Sequence, residues 1–379
     1  MEPYDRRTVM LGLLGVAGAA LAGCSPDSPK SATGSPFPAL PGASALPSAT
    51  PDTEARPRWP LTGKSAKSAS ATEHAAVAVK VPDNKNEHPQ SGLDKADIVF
   101  VELDGYRDGS GYSSTRLVPV FHSQWPEDVG PVRSMRPVDV PLLGPIGTII
   151  GSTGATGWVR DYVKHFREHV EGSLTYLETK GTGAYSIDPD RVRTYQGATY
   201  YDRAVVCHPK VLAKQSKSFR NGPQQAYFPF AETEDEISTT SGRPARTLHV
   251  PWKSGHSYDM GYEYDEKTGR YLRSMPWGRH VLTDGTRVAP NNVLVIKAKQ
   301  RYAKIYPGSG RTEPIHSVIR ATGDFSYFHG GRYVEGTWAK NAIDQPFRFT
   351  LTDGSPLKMA LGQTYVELPN LGARLRITA

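Results

Sequence analysis

The residues best equipped for chemistry are three arginines and a serine within one short span. Arg116 lies in the apolar run TRLVPVFHS, and Arg133, Ser134 and Arg136 follow in GPVRSMR. A guanidinium is a planar fork of N–H donors that matches paired carboxylate or phosphate oxygens, so three converging forks would bind an anion. Asp97 and Glu102 are candidate partners for these arginines, in which case the pairs tie strands together instead. The turn GSTGATG supplies Gly151, Ser152 and Gly154 as further binding candidates, because it follows an apolar run and precedes a helix-like stretch whose amides favour anions. It lacks the Lys-Ser/Thr ending of a P-loop and the spacing of a dinucleotide fingerprint. If the site is catalytic, Asp97 or His122 is the candidate acid or base. His165 and His169 share a helical face without the glutamate of a zinc helix, so no metal site or cofactor motif is expected. No G-x-S-x-G elbow occurs either. Cys207 lies in AVVCHP, which reads as a strand that buries the thiol and sends His208 to the opposite face.

Positioning these side chains falls to alternating strands and helices. Ile98 to Leu103 (IVFVEL) is continuous enough in β-branched and aromatic residues for a central strand. TRLVPVFHS is a second strand, whose Pro119 argues for an edge or a bulge. Thr148 to Ile150 is a third, and AAVAVKV near His74 opens the folded part. Trp158, Tyr162, Phe166 and Val170 recur at four-residue spacing, predicting a helix over 157–170. PKVLAKQSKSF reads as another helix, and Pro137 and Pro141 allow only an interrupted one before Gly144. From residue 246 onward, apolar and polar residues alternate between Asp-Gly and Gly-Gly turns, the pattern of antiparallel hairpins. The expected class is α+β: an N-terminal α/β domain at 74–230, an acidic Gly/Pro linker at 231–245, and a mainly antiparallel β domain at 246–379.

The N-terminus reads as a delivery device. Residues 1–24 carry Arg6-Arg7, then an apolar run too short and too rich in Gly and Ala for a spanning helix of about 20 residues. That is a signal peptide, suited to the general secretory or the twin-arginine route. Its last residues, Leu21, Ala22, Gly23 and Cys24, resemble a lipobox, which implies lipid on Cys24 and a membrane anchor worth about 0.8 kcal/mol per buried methylene. Residues 25–73 are rich in Pro, Ser and Ala with no sustained period, the composition of a disordered tether. The 379-residue chain has a net charge of +7. With no run of five cationic residues it has no nucleic-acid tail, and the excess charge suits a solvated surface or an anionic neighbour.

Three segments, HPQSGLDKADIVFVE, STRLVPVFHS and VGPVRSMRP, resemble the YerB-like family of bacterial lipoproteins, a two-domain family of unknown function. The likeness extends more weakly through IIGSTGAT and YYDRAVVCHP to GGRYVEGTWAK and FTLTDGSPLKMALGQTYVEL. It differs in the long loop GYRDGSGYSSTR and in His208-Pro209, where the family tends to show His-Asn. The resemblance implies an exported lipoprotein and brings no activity. The expected function is extracytoplasmic binding of an anionic glycan, a phosphate-bearing polymer or an envelope protein. The alternatives are a hydrolase or transferase acting on phosphorylated or acidic envelope material, and a scaffold acting through the β-rich half.

Overall fold

The fold is built from strands that differ in how completely they are buried. Those of the first half are β1 (Ala76–Val79), β2 (Val81–Pro82), β3 (Ile98–Leu103), β4 (Thr115–Phe121), β5 (Thr148–Gly151), β6 (Val170–Glu171), β7 (Tyr185–Ile187), β8 (Arg193–Tyr195), β9 (Ala198–Tyr200) and β10 (Val205–Cys207). The second half adds β11 (Arg243–Pro244), β12 (Thr247–Pro251), β13 (Asp259–Asp265), β14 (Arg270–Met275), β15 (Gly278–Arg279) and β16 (Asn292–Ile296). It continues with β17 (Lys299–Ala303), β18 (Glu313–Ser317), β19 (Ala321–His329), β20 (Arg332–Lys340), β21 (Arg348–Leu351), β22 (Thr364–Glu367) and β23 (Arg376–Thr378). This computed structural model describes residues 57–105, 115–201, 203–253 and 258–379. The signal peptide, Cys24, most of the expected tether and the loop 106–114 lie outside the described residues.

Twelve strands form one mixed sheet, whose main path runs β11-β20-β19-β16-β22-β3-β4-β1-β5-β6. Strand β22, from near the C-terminus, lies between β16 and β3 and is parallel to both, with Thr364 opposite Ile98 and Glu367 opposite Val101. Both halves of the chain therefore share a single sheet. Its centre (β16, β22, β3, β4, β1 and β5) is buried at every residue, which explains the continuous apolar runs. Toward the outer part of the sheet and in the five-stranded antiparallel sheet β15-β14-β13-β12-β23, burial alternates, as in β14 and β20.

Pro119 sits inside the sheet, not on its edge. β4 is paired with β3 along its whole length, while its pairing on the other side lapses between Ala78↔Val120 and Val81↔Leu117. Proline has no N–H to offer in that gap. Lys80, in the gap, turns its backbone the other way: its N–H donates to the Gly151 carbonyl (2.9 Å) and its carbonyl accepts from the Arg133 N–H (2.7 Å).

A mixed sheet in the first half and antiparallel sheets in the second fit the expected class broadly, but the helical layer is thinner than an α/β domain requires: the protein is mostly sheet with minor helices. The helices are α1 (Asp139–Leu143), α2 (Gly157–His165) and α3 (Pro209–Ala213). Pro137 and Pro141 limit α1 to five residues. The 157–170 helix stops early because Val170 is drawn into β6, where it pairs with Thr148 of β5. Trp158, Val159 and Val163 of α2 are buried, whereas Tyr162 and Phe166 of the marked set are half-buried beside them.

Residues 57–73, assigned by composition to the tether, pack on the body. Leu61 is in the core, and the Trp59 ring meets His122 edge-on at 5.1 Å. The 231–245 stretch is likewise engaged: the Ala231 N–H donates to the Met359 carbonyl (2.8 Å), and Arg243–Pro244 pairs with β20. Acidic, Gly- and Pro-rich composition fits turns as well as linkers, and only the tertiary contacts separate the two.

Candidate functional site

Strands β3 and β4 run antiparallel with Glu102 opposite Arg116, so Arg116 stands where β3 ends and Asp104 begins the next turn. The Arg116 guanidinium pairs with Asp104 and donates to the Ser134 carbonyl (2.6 Å). Arg136 reaches the same aspartate, its Nε donating to the Asp104 carbonyl (2.8 Å) and its Nη2 to Oδ1 (3.2 Å), with Glu313 at 3.5 Å. Arg133 pairs with Glu87, which also holds Arg203 at 3.1 Å. Arg116, Arg133, Ser134 and Arg136 all line one cleft of about 1080 Å³.

The second half of the chain completes the walls. Lys253, Tyr258, Trp277, Arg311 and Glu313 join Lys85, Glu87, Asp104, Thr156 and Arg203 around the four expected residues. Among the described residues, seven cationic side chains (Lys85, Arg116, Arg133, Arg136, Arg203, Lys253, Arg311) face three carboxylates (Glu87, Asp104, Glu313). The crowding has an electrostatic cost: burial, and then the neighbouring Arg136, bring the Arg116 pKa down to about 10. Its Nε is buried without a hydrogen-bond partner, as is Oγ1 of Thr156. An anion between these guanidinium groups would offset their mutual repulsion.

Of the expected acidic partners, Glu102 acts on the neighbouring Arg116 through its charge without forming an ion pair with it, and Asp97 lies elsewhere. Glu102 is wholly buried beneath the cleft, 2.5 Å from Lys80 Nζ, which also holds Asp139 at 2.5 Å. Burial raises the Glu102 carboxyl to about 7, against the pull of Lys80. Asp97 sits at the opposite end of β3, where it accepts the N–H groups of His122 (2.8 Å) and Ser123 (2.7 Å) and the Ser123 hydroxyl. His122 is buried with Nε2 against the Thr72 carbonyl (3.0 Å). Neither Asp97 nor His122 lines the cleft, so neither candidate acid or base meets the arginines.

The glycine turn borders the cleft but spends its amides internally. The Ser152 N–H donates to the Tyr185 hydroxyl (3.1 Å), Thr153 to the Arg133 carbonyl (3.1 Å) and Gly154 to Ser152 Oγ (3.2 Å). The start of α2 is covered as well, with the Trp158 N–H on the Ser309 carbonyl (2.9 Å). Gly151, Ser152 and Gly154 therefore shape the Arg133–Met135 segment and do not form a phosphate cradle. Cys207 is fully buried, which pushes its thiol pKa well up.

Sequence reasoning also missed a buried polar network behind the cleft. Gln90, from the PQSGL segment, accepts from His280 Nε2 (2.8 Å) and donates to the Pro82 carbonyl (2.9 Å). Arg273 bridges Asp83 (2.8 Å) and His280 Nδ1 (2.7 Å). Asp83, His88 and His280 are close enough to share an ion. The Arg273 guanidinium already answers two of the three, and a metal cation would face that charge directly. The network clamps the two halves together, and its partners lie too far apart in the chain to be paired by motif.

Comparison with known proteins gives concordant results. Residues 61–210 match the family model described as "Protein of unknown function (DUF3048) N-terminal domain", and residues 248–366 match the corresponding C-terminal domain. The chain is 28% identical over 335 residues to "Putative lipoprotein YerB" of Bacillus subtilis (strain 168), covering 86% of this chain and 90% of that protein. The crystal structure of the Bacillus subtilis YerB protein aligns with a TM-score of 0.66 at 22% identity, over 85% of this chain and 100% of that one, which shows a shared fold.

Proposed function

The chain belongs to the two-domain DUF3048 family, and on that premise we propose that it is a lipid-anchored, extracytoplasmic protein that binds an anionic polymer of the cell envelope in the arginine cleft. The observation that carries this reading is the lining: among the described residues, seven cationic side chains stand against three carboxylates around one cavity. The lipobox-like end of the N-terminal segment and the lipoprotein name of the Bacillus subtilis relative support the anchor. Among the described residues, no helix is long and apolar enough to cross a membrane. Tyr258 and Trp277 add aromatic surface to the basic walls, a combination suited to a polymer with apolar faces as well as charge.

The test is a titration of the full chain with oligogalacturonate, inorganic polyphosphate and neutral dextran at two ionic strengths. Binding of an acidic polymer that weakens with added salt, with dextran unbound, supports the reading. Equal binding of dextran, or no binding of either polyanion at low salt, overturns it.

A further inference from the structure

The β8–β9 hairpin is exposed along both of its strands. Its strands pair only with each other, and every residue from Arg193 to Tyr200 is exposed. An isolated two-stranded hairpin is marginal in water, so its placement depends on its ends. At one end Arg191 donates to the carbonyls of Glu87 (3.3 Å) and Pro89. At the other, Arg203 pairs with Glu87 (3.1 Å) and donates to the Asn86 carbonyl (3.4 Å). Asn86, Glu87 and Arg203 line the cleft, so the hairpin is rooted in the cleft wall.

The register sets what the hairpin displays. Arg193 lies opposite Tyr200 and Tyr195 opposite Ala198, and side chains alternate faces with period two. Tyr195, Arg193 and Tyr200 therefore share one face, with Tyr195 64% and Tyr200 44% exposed. Two aromatic rings flank a guanidinium on an arm beside a basic cleft.

We propose that this face is an outer subsite of the cleft and that the ligand is an acidic glycan chain. Sugar rings stack on Tyr195 and Tyr200, and the chain's anionic groups enter the cleft between its arginines. The inference rests on the anion-binding reading above and adds the chemical class. The arm is rooted on Glu87 and Arg203 of the basic cleft wall, and its exposed rings offer apolar faces that a plain polyphosphate has nothing to occupy. Aromatics interleaved with arginine also suit single-stranded nucleic acid, but the extracytoplasmic location proposed above favours the glycan.

The experiment compares the wild-type full chain with a Tyr195→Ala/Tyr200→Ala double variant, whose changes are at exposed positions. Affinities for oligogalacturonate, inorganic polyphosphate and an oligothymidylate are measured at one salt concentration. The expected result is an about tenfold loss for oligogalacturonate in the variant, with polyphosphate affinity within about twofold of wild type. Unchanged oligogalacturonate binding in the variant, or an equal loss for polyphosphate, overturns the stacking role. Wild type that prefers oligothymidylate overturns the glycan assignment. Wild type that binds polyphosphate but not oligogalacturonate overturns this inference and leaves the anion cleft standing, whereas failure to bind either polyanion overturns both.

Discussion

Arg116 and Arg136 converge on the single carboxylate of Asp104, which holds two like charges toward the same space. The three arginines were legible in the sequence because they are local in the chain. Their partners were not: Glu87, Asp104 and Glu313 arrive from separate segments, one of them in the second half. Burial at this scale also sets a pH response. His316 accepts from the Leu103 N–H (3.1 Å), and burial, then Lys80, bring its pKa down to about 3. It stays neutral in the folded protein, while the unfolded chain takes up its proton near pH 6.5. Its contribution to stability is thus complete above about pH 6.5 and is lost as pH falls toward 3. Asp97 and Glu102, raised by burial to about 6 and about 7, act in the opposite sense, losing stability as pH rises. Comparison with His316→Gln, whose amide oxygen can still accept, isolates the histidine. Denaturant unfolding between pH 7 and pH 5 should show a shallower acid loss in the variant, and identical slopes would refute the assignment.

At the scale of elements, strand identity was readable wherever burial was complete. Ile98–Leu103 forms the strand its apolar run predicts, because a strand covered on both faces leaves no polar position. Helix lengths were less readable, since the 157–170 periodicity could not reveal that β5 recruits Val170. For β22 the strand was readable, but its parallel place between β16 and β3 was not. Its Tyr365 and Val366 are fully buried, and Glu367 accepts from Trp252 Nε1 (2.7 Å) and the Tyr262 hydroxyl (2.5 Å). Burying each apolar side chain is worth about 1.5–3 kcal/mol, and losing the strand would also open the edges of β3 and β16. Deletion of residues 364–379 should therefore abolish cooperative thermal unfolding in both halves. A truncated chain whose first half still melts cooperatively would contradict this.

At the scale of the molecule, the two family segments are joined by contacts that the sequence does not reveal, because its pattern records local periodicity and not which distant strands pair. The parallel contacts of β22 with β3 and the Asp83–Arg273 pair join them, and the cleft takes walls from both. The central claim is that the cleft arginines bind an anion as well as hold the fold. Arg133 separates these roles best, because its partner Glu87 keeps Arg203 when the Arg133 guanidinium is removed. Arg136→Ala serves as the contrast, since removing one partner of a buried pair is expected to cost about 3–5 kcal/mol. The decisive measurement is the oligogalacturonate affinity of full-length Arg133→Ala, read beside its thermal midpoint. An about tenfold weaker affinity with a midpoint near wild type is the predicted result; affinity equal to wild type at an unchanged midpoint would contradict the account.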